Sequence, residues 1–197
     1  IAALTAVAAN ARGALLRRQG RYAEAEAVYV PAIRAARRRL GSAHEATYNL
    51  LNGLGIVCKY SGQFTRGARL YREALKHATA ALGPDHVDLA AIFHNLGGLE
   101  HARGRHAAGE PFARRSVEIR EAALGPDHVL VAADIGALVA LIEGQGRLEE
   151  AEALYRRALA VFQEVHGPDH EELAVVLHNL AGVRFARGDA IEAEAML

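Results

Sequence analysis

Four histidines recur at one interval of 42 residues, and histidine is a frequent metal ligand and proton carrier. His86, His128 and His170 each end a Gly-Pro-Asp-His motif, and His44 ends the related motif Gly-Ser-Ala-His. All ligands of one Zn²⁺ ion must lie within about 2.0–2.3 Å of it. Equivalent side chains in stacked helical repeats lie about 10 Å or more apart. A shared metal site is therefore excluded, and each histidine is expected to pack or hydrogen-bond at its own turn.

The other reactive side chains form no recognisable catalytic group. Cys58 is the single cysteine, so it cannot form an internal disulfide, and a reducing, cytoplasmic location is the simpler expectation. It falls on an apolar helical stripe, where it is expected to be a small core residue. Carboxylate pairs such as Glu149–Glu150 are expected on exposed helix faces without a second catalytic partner. We therefore expect no enzymatic activity, no cofactor and no metal.

The formal net charge is zero, but the charges are distributed unevenly. Residues 1–40 carry 8 Lys and Arg against 2 Asp and Glu, residues 41–120 carry 10 against 7, and residues 121–197 carry 5 against 14. This asymmetry allows a homo-oligomer joined through its oppositely charged ends. The basic end has too few aromatic residues to indicate nucleic-acid binding. No apolar run reaches the ~20 residues that cross a membrane. We therefore expect neither nucleic acid nor a membrane as a partner.

A column of glycines shares the 42-residue period of the histidines, at Gly20, Gly62, Gly104, Gly146 and Gly188. Two turn signals in each period indicate two structural elements in each repeat. Between the turns, apolar residues at i, i+3, i+4 and i+7 indicate amphipathic helices. The sequence therefore predicts one array over 1–197, with repeats at about 1–40, 41–82, 83–124, 125–166 and 167–197.

The turn signals also predict the bounds of the helices. First helices are predicted at 2–18, 43–60, 85–102, 127–144 and 169–186, and second helices at 22–40, 64–82, 106–124, 148–166 and from 190 onward. The glycine column is expected just after the C-caps of the first helices. Arg12, Glu100 and Arg184 interrupt the apolar stripe and are expected at its solvent edge. N-caps are predicted at Asp85 and Asp127, and capping boxes at Ser42–Glu45 and Asp169–Glu172.

The second helices carry a recognisable motif, Gly-x-Tyr-x-x-Ala followed by Tyr-x-x-Ala. Gly20 to Ala25 with Tyr29 and Ala32 carries it. Gly146 to Ala151 with Tyr155 and Ala158 carries it with Leu148 in the place of the first tyrosine. This pattern resembles the tetratricopeptide repeat, in the long 42-residue form of kinesin light chain and related bacterial scaffold proteins. The resemblance implies an all-α, right-handed superhelical solenoid of antiparallel helix pairs, with about five repeats and the last one truncated.

The same resemblance implies a non-catalytic scaffold that binds a peptide or a protein segment in a concave groove lined by the first helices. Asn95 and Asn179 occupy the column whose asparagine holds ligand backbone in related arrays, and Asn10 and Arg17 serve the first repeat. The alternative is that these asparagines are simply solvated helix residues. The implied groove residues are Asn49, Asn52, Lys59, Tyr60, His94, Asn95, His101, His178, Asn179 and Phe185.

Three other functions stay open. The chain would serve as a sensor or regulatory region if a signalling ATPase, protease or kinase is attached outside these residues. It would act as a head-to-tail self-assembly module if the basic end of one copy meets the acidic end of the next. A metal-dependent hydrolase is a distant further alternative.

The self-assembly alternative makes a prediction that salt tests. Association driven by the charged ends should weaken as the screening length falls from ~8 Å at physiological ionic strength to ~3 Å near 1 M. Sedimentation equilibrium should then give a mass that decreases with added salt. The same mass at every salt concentration would exclude charge as the cause of any association.

Overall fold

The computed structural model describes residues 1–167 and 171–194, and within these ranges it contains ten helices and no strand. No helix of the described part is both long and apolar enough to span a membrane. The predicted all-α fold is confirmed. The helices are α1 (Ala2–Arg18), α2 (Tyr22–Leu40), α3 (Glu45–Tyr60), α4 (Phe64–Leu82), α5 (Asp88–Ala102), α6 (His106–Leu124), α7 (Val129–Glu143), α8 (Leu148–His166), α9 (Glu171–Arg187) and α10 (Ala190–Glu194).

The chain divides into two compact units, Ile1–Leu99 and Glu100–Leu197. In the first unit α1 packs against α2, α3 packs against α4, and α3 also contacts both α1 and α2. In the second unit α7 lies between α6 and α8, and α9 packs against both α8 and α10. Consecutive helices joined by short turns therefore form antiparallel pairs inside each unit. A single array over 1–197 stays a prediction.

The glycine column ends the first helices as predicted. Gly20 has φ of 75°, a left-handed conformation that strains any other residue. Its N–H donates to the Arg17 carbonyl at 2.9 Å, and the Arg21 N–H donates to the Leu16 carbonyl at 2.9 Å. This is the Schellman pattern, which satisfies the last carbonyls of the helix. The same left-handed conformation recurs at Gly62, Gly104, Gly146 and Gly188.

Close contact between a glycine and a tyrosine ring joins the two helices of a repeat. An added Cβ at Gly13 would lie 2.3 Å from the Tyr29 ring, and one at Gly55 would lie 2.5 Å from the Tyr71 ring. Both tyrosines are buried, at 1% and 0% exposure. The small residues on the first helices therefore make room for aromatic rings of the second helices, as the packing stripe indicated.

The predicted N-caps are wrong, because histidines do the capping. His44 and His128 are the N-cap residues of α3 and α7, and the Nδ1 atom of each accepts from the backbone N–H two residues later at 3.1 Å. His86 Nδ1 accepts from the Asp88 N–H at 3.3 Å in the same way. Ser42, Asp85 and Asp127 lie in the turns before these helices instead. The Asp169–Glu172 pair lies outside the described residues and side chains.

The turn formed by Gly-Pro-Asp-His explains why the histidine, and not the aspartate, is the N-cap. The His128 N–H donates to the Gly125 carbonyl at 3.4 Å, so Pro126 and Asp127 are the two central residues of a β-turn. Asp127 is part of the turn, and the helix begins at Val129, one residue later than an N-cap at Asp127 would place it. The expectation that the histidines hydrogen-bond at their turns is confirmed for His44, His86 and His128, and His170 lies outside the described residues.

Two buried carboxylates of the second unit are ion-paired. The expectation that Glu100 lies at the solvent edge is wrong, whereas Arg12 is exposed and Arg184 is half-buried. Glu100 is 3% exposed and accepts from Arg103 at 3.1 Å. Arg184 donates to Glu152, which is 5% exposed, at 3.1 Å. Each charge tolerates burial because an opposite charge accompanies it.

Removing one cap tests its contribution to stability. His128→Ala should lower the free energy of unfolding by about 0.5–2 kcal/mol, because the Leu130 N–H loses its acceptor at the start of the helix. His128→Asn keeps a short acceptor at this position and should retain most of the stability. Urea denaturation of the two variants provides the measurement. An equal loss in both variants would mean that the imidazole acts by packing and not by capping.

Glu110 predicts a specific pH dependence. Burial raises the pKa of its carboxyl, but hydrogen bonds from Gln145, Arg114 and Arg147 outweigh burial and bring the pKa to about 2. Folding therefore favours the ionised carboxylate, and this stabilisation is complete above the ordinary pKa of 4.5 and is lost as pH falls towards 2.

The corresponding variant is Glu110→Gln. Over the pH range from about 4.5 to about 2, its free energy of unfolding should fall less steeply than that of the wild type. The difference in slope should not exceed about 1.4 kcal/mol per pH unit, the value for one proton. Chemical denaturation at several pH values measures both slopes. Parallel curves would show that the Glu110 carboxylate contributes nothing to the acid stability.

Candidate functional site

Half-buried asparagine side chains lie on one face of the first helices in the first unit, which we call the first-helix surface. It carries Asn10 of α1, Asn52 of α3 and Asn95 of α5. The Asn95 Nδ2 amide donates to Asn52 Oδ1 at 3.0 Å. Asn10 Oδ1 accepts from the Tyr29 hydroxyl at 3.1 Å. The structure therefore brings Asn52 and Asn95 together, two of the residues that the sequence assigned to a groove.

The asparagine pair keeps unused hydrogen-bonding capacity. An asparagine amide offers two N–H donors and a carbonyl with two lone pairs. Among the described residues, the Asn52 amide nitrogen and the Asn95 carbonyl oxygen make no hydrogen bond of their own. The pair therefore presents a donor and an acceptor side by side, which is the pattern that a peptide group needs.

Cations and aromatic rings gather at the C-terminal ends of α1 and α3. The rings of Tyr22 and Tyr60 stack with centroids 6.5 Å apart. The guanidinium carbon of Arg17 lies 5.4 Å from the Tyr60 ring centroid, and Lys59 Nζ lies 4.9 Å from it. Both distances are within the range of cation–π attraction. Two positive charges therefore share one aromatic ring.

These two cations have no counter-ion in the described part of the chain: no carboxylate there lies within ion-pair distance of Arg17 or Lys59. Burial, together with the charge of Arg17, lowers the pKa of the Lys59 ammonium group. An anion placed between Arg17 and Lys59 would stabilise the positively charged form of both groups. This end of the first-helix surface is therefore suited to an acidic group.

The opposite end of the first-helix surface is mainly apolar. A concavity of about 310 Å³ is lined there by the apolar residues Ala3, Ala6, Val7 and Ala46 and by the polar residues Asn10, His44, Glu45 and Asn49. Val7 is 61% exposed, although valine is usually buried. Residues 3 to 17 of one helix span about 21 Å, which equals about six residues of extended peptide. Along this length the surface changes from apolar, through amide, to cationic.

The remaining residues assigned to the groove are distributed over both units. Asn49 is exposed and donates to Glu45 at 3.4 Å, and His94 is half-buried beside Asn95. In the second unit, the exposed His101 ring meets the His106 ring edge-on, with centroids 5.3 Å apart.

In α9 the structure brings together only some of the assigned residues. His178 and Phe185 line a concavity of about 430 Å³ with residues of α10, and Phe185 is 69% exposed. Asn179 is exposed and lies outside the lining of this concavity. A common channel for Asn95 and Asn179 stays a prediction.

Sequence reasoning missed Tyr22 as a surface residue. Tyr22 belongs to the Gly-x-Tyr motif, which we interpreted only as part of the repeat pattern. In the structure its ring stacks on Tyr60, which lies 38 positions further along the chain. The sequence signal that could have revealed it is the presence of an aromatic residue one turn after the basic pair Arg17 and Arg18.

The repeat motifs agree with a comparison against protein families. The family model of the tetratricopeptide repeat matches residues 4–66, 48–122 and 134–197. The chain belongs to the tetratricopeptide-repeat family. No match was found among curated proteins.

Solved structures of other tetratricopeptide-repeat proteins share this fold. BtubC (BKLC) from P. vanneervenii superposes with a TM-score of 0.83 at 23% identity, over 94% of this chain and 74% of that one. A putative kinesin light chain from Podosopora anserina superposes with a TM-score of 0.82 at 19% identity, over 96% of this chain and 90% of that one. MamA MSR-1 superposes with a TM-score of 0.60 at 20% identity, over 97% of this chain and 91% of that one. These likenesses concern the fold, and among the three structures the TM-score is higher for BtubC and the putative kinesin light chain than for MamA.

Proposed function

We propose that this tetratricopeptide-repeat chain is a non-catalytic scaffold that binds an extended peptide segment of a partner protein on the first-helix surface. The observation that carries the proposal is the Asn52–Asn95 pair, which presents an unused donor and an unused acceptor between an apolar and a cationic region. A peptide backbone offers the complementary groups at every residue. The pair would hold the ligand backbone without reading its side chains.

Selectivity for a particular peptide would come from the two ends of the surface. The apolar concavity beside Ala3 and Val7 would favour small or aliphatic side chains at one end of the ligand. Arg17 and Lys59 would favour an acidic residue or a terminal carboxylate at the other end, about 21 Å away. Charge-assisted hydrogen bonds to these groups are stronger than neutral ones. The preferred ligand is therefore an extended peptide with one apolar and one acidic end.

A displayed library of random short peptides provides the ligand for the test. Peptides selected on the wild-type chain should have Asp, Glu or the free carboxylate towards one end. Asn52→Ala and Asn95→Ala should each weaken binding of a selected peptide about 2- to 12-fold, since each removes a hydrogen bond worth ~0.5–1.5 kcal/mol. Fluorescence anisotropy measures the affinity. The melting temperature should hardly change, because both side chains lie outside the packed core.

The control is Gln163→Ala, which removes an exposed amide from a second helix of the other unit. It should leave peptide affinity unchanged. Lys59→Gln should weaken acidic peptides and also reduce the salt dependence of their binding. Unchanged affinity in all three surface variants would place the binding site elsewhere, and an early-melting asparagine variant would mean that the asparagine is structural.

A further inference from the structure

A cavity of about 690 Å³ opens between α2 and α4 in the first unit. Leu51 and Leu54 of α3 form its floor, and Leu70 of α4 lies beside them. Residues two positions apart on a helix point about 200° apart, so Leu51 and Leu54 lie on the opposite face of α3 from Asn49 and Asn52. The cavity is therefore separate from the first-helix surface, and the proposed peptide does not occupy it.

Arginines surround the opening of this cavity. Five arginines and one glutamate line it. Arg37 is paired with that glutamate, Glu73, and Arg66 is paired with Glu26 at 2.6 Å. The three others, Arg34, Arg38 and Arg69, have no hydrogen-bonded or ion-paired partner among the described residues. Three uncompensated guanidinium groups therefore surround an apolar floor.

The repeat itself does not require these three arginines. Eighty-four residues further on, two periods along the chain, Glu118, Ala122 and Ala153 occupy the positions of Arg34, Arg38 and Arg69. Glu121 and Arg157 occupy the positions of Arg37 and Glu73 there, and they form an ion pair at 2.5 Å. An ion pair at this position therefore joins the two second helices in both places, with its two charges exchanged. The extra arginines are specific to the first unit.

We propose that this cavity binds an amphiphilic anion, a small molecule with an apolar chain and a carboxylate or phosphate head. The chain would lie against Leu51, Leu54 and Leu70. The head would accept hydrogen bonds from Arg34 and Arg38 on one side and from Arg69 on the other, since the planar guanidinium matches both carboxylate and phosphate. The volume lies within the range of small-molecule sites, about 300–1,000 Å³.

The dimensions of the cavity limit the length of the ligand. Val30 and Arg38 mark its extent along α2, eight residues apart, which is about 12 Å of helix. Decanoate and decyl phosphate have chains of about this reach and carry the two alternative heads. Decanol has the same chain without charge, and inorganic phosphate has the charge without a chain.

Isothermal titration calorimetry of the wild-type chain with these four compounds tests the proposal. One molecule of decyl phosphate or decanoate should bind per chain, at least tenfold more tightly than decanol or inorganic phosphate. The stronger of the two amphiphiles identifies the head group. Equal affinity of decanol and decyl phosphate would overturn the role of the arginines.

Two variants locate the site. The triple variant Arg34→Gln, Arg38→Gln and Arg69→Gln should bind the preferred amphiphile at least tenfold more weakly. Val30→Trp should block the cavity with all arginines present, and long arginine side chains stand at the equivalent positions 72 and 114, so the fold accepts bulk there. The matched control is Arg12→Gln, Arg18→Gln and Arg72→Gln, which makes the same change of net charge outside the cavity and should bind like the wild type.

Each contrary result overturns the proposal in a different way. Equal weakening by both triple variants would mean general attraction to a basic surface. Unchanged binding in Val30→Trp would place the ligand elsewhere. If none of the amphiphiles binds, the proposal is overturned, and an acidic, leucine-containing peptide that binds the wild type but not Val30→Trp would identify the cavity as a protein-docking surface. Melting curves of each variant confirm that the comparison is made between folded proteins.

Discussion

The first unit depends on the contact between a tyrosine ring and a glycine of the neighbouring helix. The Tyr29 ring lies against Gly13 of α1, and its hydroxyl donates to both the backbone and the side-chain oxygen of Asn10 on the same helix. An added Cβ at Gly53 of α3 would lie 2.5 Å from the Tyr29 hydroxyl and 2.7 Å from Asn10 Oδ1. One buried ring therefore holds two first helices close together and orients a polar residue of the first-helix surface.

The next repeat keeps the ring contact but changes the polar end. The Tyr71 ring lies against Gly55, yet its buried hydroxyl has no hydrogen-bond partner in the described part of the chain, and burial raises its pKa. Asn52, the equivalent of Asn10, is bonded to Asn95 instead. Packing is thus conserved between repeats while the hydrogen bonds of the exposed face differ. An unsatisfied hydroxyl costs about 1–3 kcal/mol, which the packed ring and the asparagine pair must offset.

Periodic features could be predicted from the sequence, and contacts between repeats could not. The glycine at position 20 and the apolar stripe predicted helix ends and core because each signal is local to one helix. The N-cap predictions were wrong because an aspartate at position 127 suits both a turn and a helix N-cap, and in the structure it lies in the turn. Tyr22 and Tyr60 come from different repeats, so no spacing rule brings them together with Arg17. The cavity beside Arg34 likewise depends on the separation of two second helices.

Helix α3 explains how two unrelated ligand chemistries can occur on one repeat. One face of the helix carries Asn49 and Asn52, and the opposite face carries Leu51 and Leu54, which are 0% and 3% exposed. A change on the polar face does not disturb the core, and the arginines around the cavity project from α2 and α4, beyond the core. Substitutions at such exposed columns usually change stability by less than about 0.5 kcal/mol. The exchange of Arg34 for Glu118 at equivalent positions illustrates the consequence, because one repeat fold supports surfaces of opposite charge. Binding by this chain is therefore determined by the exposed positions of each repeat, which do not take part in the packing of the core.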